Sequence, residues 1–283
     1  MWLASLLGDV IGEMDFRTKT PTEPIQKGLP IYETGRLSLW VNPQFKKWFG
    51  CSQVVDSSGK PMVVFRGTRK EPSPDNEFKL TAGRAVPSFT GDAALASVYT
   101  RRTQGIGAKG YASGSTVTPV YLSIQKPLDI SGFGEQISLY DLMDAMGMDL
   151  DDLKTEDVAQ LYADLYETAD RVGAEFEDFM GRPSDFVSNF ERRDPITKLK
   201  TLRAIELDAY VVADSAKVVS RLIGLGFDGV FHSEVTDGAI AYYEGPKDRL
   251  LQAVTFRPFF QQQIKSAIGN NGDFNPSDPR IDK

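Results

Sequence analysis

Apolar and polar positions change rhythm three times along this chain. Two short apolar runs, Ser52-Gln53-Val54-Val55-Asp56 and Pro61-Met62-Val63-Val64-Phe65-Arg66, flank the turn-forming cluster Ser57-Ser58-Gly59-Lys60. Runs of that length around such a cluster predict a β-hairpin. Val86 to Thr90 reads as another short strand. Asp92 to about Arg101 reads as a helix, with Ala93, Ala96, Val98 and Tyr99 near one face and Asp92 in the N-terminal turn. A glycine-rich run from Gly105 to Ser115 precedes the next strand, Val117 to Ile124. Its glycines do not follow a strand and open a helix, so a phosphate-binding loop is poorly supported.

From residue 135 to about 210 the period lengthens. Ile137, Tyr140, Leu142, Met143 and Met146, then Leu153, Val158, Leu161, Leu165 and Val172, recur at helical spacing. Fourteen acids stand against two bases between Glu135 and Asp178. Such a density reads as a solvated helix face, with a surface for a basic partner as the sharper alternative. The last third returns to β. Ser215 to Leu225 predicts a helix, Phe227 to Phe231 a strand, and Ala239 to Glu244 with Leu250 to Phe256 a strand pair around Gly245-Pro246-Lys247-Asp248. Phe259 to Ile268 is a short closing segment, and the turn-rich end from Gly269 to Pro279 is expected to lie on the surface or fray. At the other end, Met1 to Gly8 reads as a short amphipathic helix without the basic residues of a signal peptide. Trp40, Phe45, Trp48 and Phe49 supply aromatics for core packing.

Composition narrows the function classes. The 283 residues, 41% apolar and 25% charged, suffice for one large domain or two small ones. No apolar run reaches the ~20 residues of a membrane-spanning helix. A net charge of −7 argues against binding nucleic acid through its phosphates. The single cysteine, Cys51, excludes a disulfide framework and reads as a small buried hydrophobe. The single histidine, His232, follows a buried-looking strand and reads as structural; with one histidine, neither a His-rich metal site nor a nuclease is supported. These features suit a soluble protein of a reducing cytoplasm.

Three separated segments say more. The first is Val64-Phe65-Arg66-Gly67-Thr68; the second is Ser88-Phe89-Thr90, with Tyr99 eleven residues after Ser88. The third is Gln252-Ala253-Val254-Thr255-Phe256-Arg257-Pro258, leading into Gln263-Ile264-Lys265-Ser266-Ala267. In this order they resemble the ADP-ribosyltransferase fold, in the branch found in phage polyvalent proteins and phage-encoded toxins. The opening from Phe45 to Asp56 and the closing Asp273-Phe274-Asn275-Pro276-Ser277-Asp278-Pro279 are similar to that branch too. The resemblance implies an α+β fold, with an ADP-ribosyltransferase-like split β-sandwich core over 45–132 and 211–283. An N-terminal leader with a helix, 1–44, and an acidic helical insertion, 133–210, lie outside it.

The same resemblance implies NAD as cofactor, split at its nicotinamide–ribose bond through an oxocarbenium-like state. It places Arg66 on the adenosine ribose or a phosphate, the Gly67 backbone on the carboxamide, and the Tyr99 ring against nicotinamide. Ser88 would orient the site, with Thr68, Phe89 and Thr90 completing the NAD-binding set. The acid of the last strand is replaced by Gln252, with Glu244 of the neighbouring strand as the alternative catalytic group. Glutamine accepts a ribose hydrogen bond but offsets no positive charge. Arg66 with Ser88 resembles the Arg-Ser-Glu group, whereas relatives with the most similar flanks carry histidine at the first place. Three of these residues also have a plain structural reading: Arg66 as a strand cap or the partner of an acid, Tyr99 as core, Gln252 as an exposed strand residue. No metal is implied. The function implied is NAD-dependent mono-ADP-ribosylation of a host protein by a phage-encoded enzyme in the bacterial cytoplasm, with packaging in the virion beside other virion proteins as an extension. The alternative is a catalytically inactive phage protein on the same fold, acting as a virion or partner-binding component.

Overall fold

The computed structural model describes residues 41–68, 85–100, 115–148, 154–174, 181–233, 245 and 253–283. Its strands are β1 (Val64–Thr68), β2 (Phe89–Thr90), β3 (Thr116–Leu122), β4 (Pro127–Asp129), β5 (Gln136–Ser138), β6 (Glu206–Asp208), β7 (Gly229–Ser233), β8 (Val254–Pro258) and β9 (Ile264–Ser266). Its helices are α1 (Pro43–Phe49), α2 (Ala93–Val98), α3 (Leu139–Ala145), α4 (Thr155–Val172), α5 (Pro183–Glu191), α6 (Pro195–Ala204), α7 (Val211–Asp214) and α8 (Ala216–Gly224). The class is α+β, as expected. No helix among the described residues is long and apolar enough to cross a membrane.

Seven strands join in the order β4-β7-β8-β2-β1-β3-β9, and β5 pairs with β6 in a separate ribbon. Among the described residues, only the β4–β7 pair of the large sheet is parallel. The two halves, β4-β7-β8 and β1-β3-β9, therefore meet through β2, a strand of two residues. On one side β2 aligns Phe89 with Phe256 and Thr90 with Thr255. On the other it makes a single register pair with β1, Phe65 with Thr90. This short seam is where the sheet comes closest to splitting.

Local chemistry explains the elements around the seam. α1 begins with Pro43 in its first turn, and the Asn42 side chain accepts from the N–H groups of Gln44 and Phe45. Phe45, Trp48 and Phe49 then fall on one buried face. The Phe45 ring packs 5.2 Å from that of Tyr121 and 5.0 Å from that of Phe274. α2 starts where Asp92 Oδ1 accepts from the N–H groups of Ala94 and Leu95. It ends at Val98, with Tyr99 as its C-cap, which is shorter than the expected run to Arg101. The expected strand from Val86 likewise shortens to Phe89–Thr90, because Val86 packs with the helices instead.

The helical region shares its core with the sheet. Leu142, Met143, Leu161, Leu165, Phe186, Phe190 and Leu202 are buried in one cluster with Leu128 of β4 and Val230 of β7. Phe186 stacks 4.2 Å from Tyr162, so α4 and α5 meet through aromatic faces. α8 is capped by Ser215, whose hydroxyl accepts from Val218 N–H, and lies close to the expected span.

Two expectations change and a third is narrowed. The hairpin at Ser57–Lys60 narrows to one bridge, Val55 with Pro61, beside a turn in which Asp56 Oδ1 accepts from Ser58 and Lys60 N–H. Cys51, expected to be buried, is exposed, because it follows the helix C-cap Gly50 instead of entering a strand. Of the two outcomes expected for the turn-rich end, the surface one holds, with the end pinned there and not frayed. Phe274 and Ile281 are buried, Ser266 N–H donates to Ile281 O at 2.7 Å, and the tail covers the outer edge of β9. His232 is buried in β7 with Nδ1 2.7 Å from Ser233 O, in keeping with a structural role. The strand pair expected around Gly245 falls largely outside the described residues.

Candidate active site

The seam sets which way the β1 backbone faces. Pro119 of β3 stands opposite Phe65, and its carbonyl accepts from Ala267 N–H at 3.1 Å, on the β9 side. In an antiparallel pair, residues alternate between bonding toward one neighbour and toward the other. Phe65 and, two residues on, Gly67 therefore turn their N–H and C=O groups away from β3, toward β2. Phe65 meets Thr90 there. Continuing that register would pair Gly67 with Ser88. Instead, the Ser88 carbonyl accepts a hydrogen bond from Arg66 Nη1 at 3.0 Å. The Gly67 backbone thus faces the place where β2 gives out.

Gly67 is also the point where strand and helix touch. A Cβ at this position would lie 1.8 Å from the Ala96 carbonyl oxygen of α2 and 3.2 Å from Thr100 Cγ2. No larger residue fits without moving backbone, so glycine is required by contact with α2. The same Ala96 carbonyl accepts from Tyr99 N–H at 3.3 Å. One oxygen thereby ties the strand glycine to the residue that ends the helix. Tyr99 is 40% exposed and so does not take the core position that its helix face suggests.

The remaining expected residues form the frame. The Arg66 guanidinium lies 5.8 Å from the centre of the buried Phe89 ring, a cation–π contact. Thr68 Oγ1 is 3.0 Å from Thr116 Oγ1 directly across the β1–β3 pair. Thr90 is buried, and its hydroxyl accepts from Asp92 N–H at 3.3 Å, linking β2 to the cap of α2. Arg66, Gly67, Ser88, Phe89, Thr90 and Tyr99 are thus joined through the seam and α2, with Thr68 at the end of the same strand. Gln252 and Glu244 lie outside the described residues.

Two features of the site escaped the sequence reading. The Ala96 carbonyl, which Gly67 must clear, is a backbone atom and leaves no trace in the sequence. Arg257, one residue past the Phe89–Phe256 pair on β8, is buried and bonded to Asp214 of α7. Its trace is a charge held between Phe256 and Pro258.

No curated protein and no solved structure matches this chain. A family model does, that of the ADP-ribosyltransferase in polyvalent proteins, over residues 56–274. That span takes in β1, the seam, α2 and β8, and covers well over half of the 283 residues. The chain belongs to the ADP-ribosyltransferase family of polyvalent proteins.

Proposed function

We propose that this protein is an NAD-dependent mono-ADP-ribosyltransferase, phage-encoded, that modifies a host protein in the bacterial cytoplasm. The family supports ADP-ribosyl transfer in general, and its enzymes generally use NAD. The observation that carries the reading is the turn of Gly67 toward the end of β2, beside an Arg66 already ordered by the Ser88 carbonyl.

The donor set suits a pyridine dinucleotide. Gly67 offers one N–H and one C=O side by side, the complement of a primary carboxamide, on a backbone with no side chain in the way. Arg66 offers a planar cation whose contacts with Ser88 and Phe89 fix it before any ligand arrives, so little ordering is left to the binding step. Tyr99 brings an exposed aromatic ring at the end of the helix that backs Gly67. Bound there, NAD supplies the activated ADP-ribose by breaking at nicotinamide. The protein's part is to hold nicotinamide through Gly67 and Tyr99, to hold the adenosine or phosphate end through Arg66, and to keep Ser88 beside the ring.

Gln252, or Glu244, supplies the ribose contact. A neutral glutamine in place of an acid favours the second reading, a non-catalytic phage protein that uses the same fold to bind a virion or other partner. Biotinylated NAD incubated with the protein and a bacterial lysate separates the two. Transfer of label to a lysate protein, lost in Tyr99→Ala, supports the enzyme. Absence of transfer from protein that binds NAD supports the second reading.

A further inference from the structure

The site hangs on a buried clamp that reaches it from the helical region. Arg257 and Asp214 are each 1% exposed, and Arg257 Nη2 bonds Asp214 Oδ1. The same nitrogen donates to the Val86 carbonyl at 3.0 Å and lies 3.4 Å from the Ala213 carbonyl. From the other side, Arg171 Nη2 of α4 donates to the Asp214 carbonyl at 3.1 Å. A continuous chain of polar contacts therefore runs from α4, through α7 and β8, to the carbonyl two residues before Ser88.

The covalent chain carries that fixed point to Ser88. Val86 precedes Pro87, which restricts Val86 to extended backbone. Pro87 has its own φ locked by the ring. With the Val86 carbonyl held by Arg257, few soft torsions remain before Ser88, whose carbonyl orders Arg66. β8 fixes the other end, since Phe256 pairs with Phe89. A buried ion pair is a poor source of net stability, and well-packed apolar replacements are often neutral or better. The geometry it imposes is therefore what distinguishes it from an apolar contact.

We propose that Arg257 and Asp214 are positioning residues that couple the helical region to the NAD site by fixing the Val86–Ser88 segment. Only the NAD arm of the test rests on the function proposed above. The double variant Arg257→Met/Asp214→Leu removes both charges together, so neither is stranded. In the folded double variant, amide exchange at Ser88, Phe89 and Thr90 is expected to rise about tenfold or more over wild type, while exchange in β3 and β9 is unchanged. Unchanged protection at those three amides overturns the proposal, whether or not NAD binds. Where wild type binds NAD, the double variant should bind about tenfold or more weakly, and equal binding also overturns it. Failure of wild type to bind NAD overturns the proposed function and leaves the clamp to be decided by exchange. If the double variant does not fold, Arg171→Met, which removes the donor to the Asp214 carbonyl, is read by the same exchange comparison. Faster exchange at Ser88 to Thr90 alone supports the coupling, and no change overturns it.

Discussion

The carbonyl oxygen of Ala96 occupies the space a Cβ would need at Gly67, 1.8 Å from it. That contact brings α2 down onto β1 at the residue whose N–H and C=O turn toward the seam. Gly67→Ala forces a backbone to move, because the obstructing atom is a helix carbonyl and not a flexible side-chain tip. A loss of about 2 to 3 kcal/mol in denaturant unfolding is expected, together with loss of NAD binding. A variant as stable as wild type would show that strand and helix can part without cost.

Tyr99 should behave in the opposite way. The residue is 40% exposed, so Tyr99→Ala should change stability by less than about 1 kcal/mol. Label transfer from biotinylated NAD should nevertheless fall by about tenfold or more, through lost stacking on the ring. Thermal melting beside the transfer assay checks both, and a variant that melts early and transfers normally contradicts the assignment.

Lys265 gives the fold a pH signature. It is buried on β9, with Nζ donating to Asp278 O at 2.7 Å and Arg280 O at 2.8 Å. Burial pushes its ammonium down to about 8; Asp278 and Asp282 pull it back up, and Arg280 adds to the lowering. The unfolded chain keeps this proton to a higher pH than the folded one. Stability from this group therefore rises as the pH climbs from about 8 toward the ordinary lysine value of about 10.4. The urea midpoint should reflect this rise in wild type and lose it in Lys265→Met. The same pH dependence in both proteins would assign the rise elsewhere.

Phe274 tests whether the tail belongs to the core. Its ring packs 5.0 Å from that of Phe45 and 5.7 Å from that of Trp48. Phe274→Ala should cost about 3 kcal/mol in chemical unfolding, as for a large core truncation. A cost near zero would return the last residues to the surface role that their composition suggests.

The residues of the site were legible in order before they were legible in space. A basic residue followed by glycine at the end of an apolar strand, then Ser88-Phe89-Thr90, then Tyr99 on the next helix, stands out through the order it shares with the family it resembles, and not through any local backbone demand. What was not legible depends on distant partners. Nothing in the residue types around position 96 marks its carbonyl as the atom that Gly67 will meet. The burial of Arg257 depends on Asp214, 43 residues away in the sequence. The tail reads as loose because Gly, Asn and Pro dominate it, yet one phenylalanine and one isoleucine suffice to dock it. Cys51 differs from its expected burial because the residues after it, Ser52 and Gln53, continue as an irregular segment and not as a strand.

The most direct measurement is calorimetric titration of the folded protein with NAD, repeated on Arg66→Ala. Saturable binding at one site, with micromolar or tighter affinity in wild type and none in an Arg66→Ala variant of unchanged melting temperature, is the outcome the β1–β2 seam predicts. Absence of binding heat from folded wild type at millimolar NAD, in two buffers of different ionisation enthalpy, would contradict it.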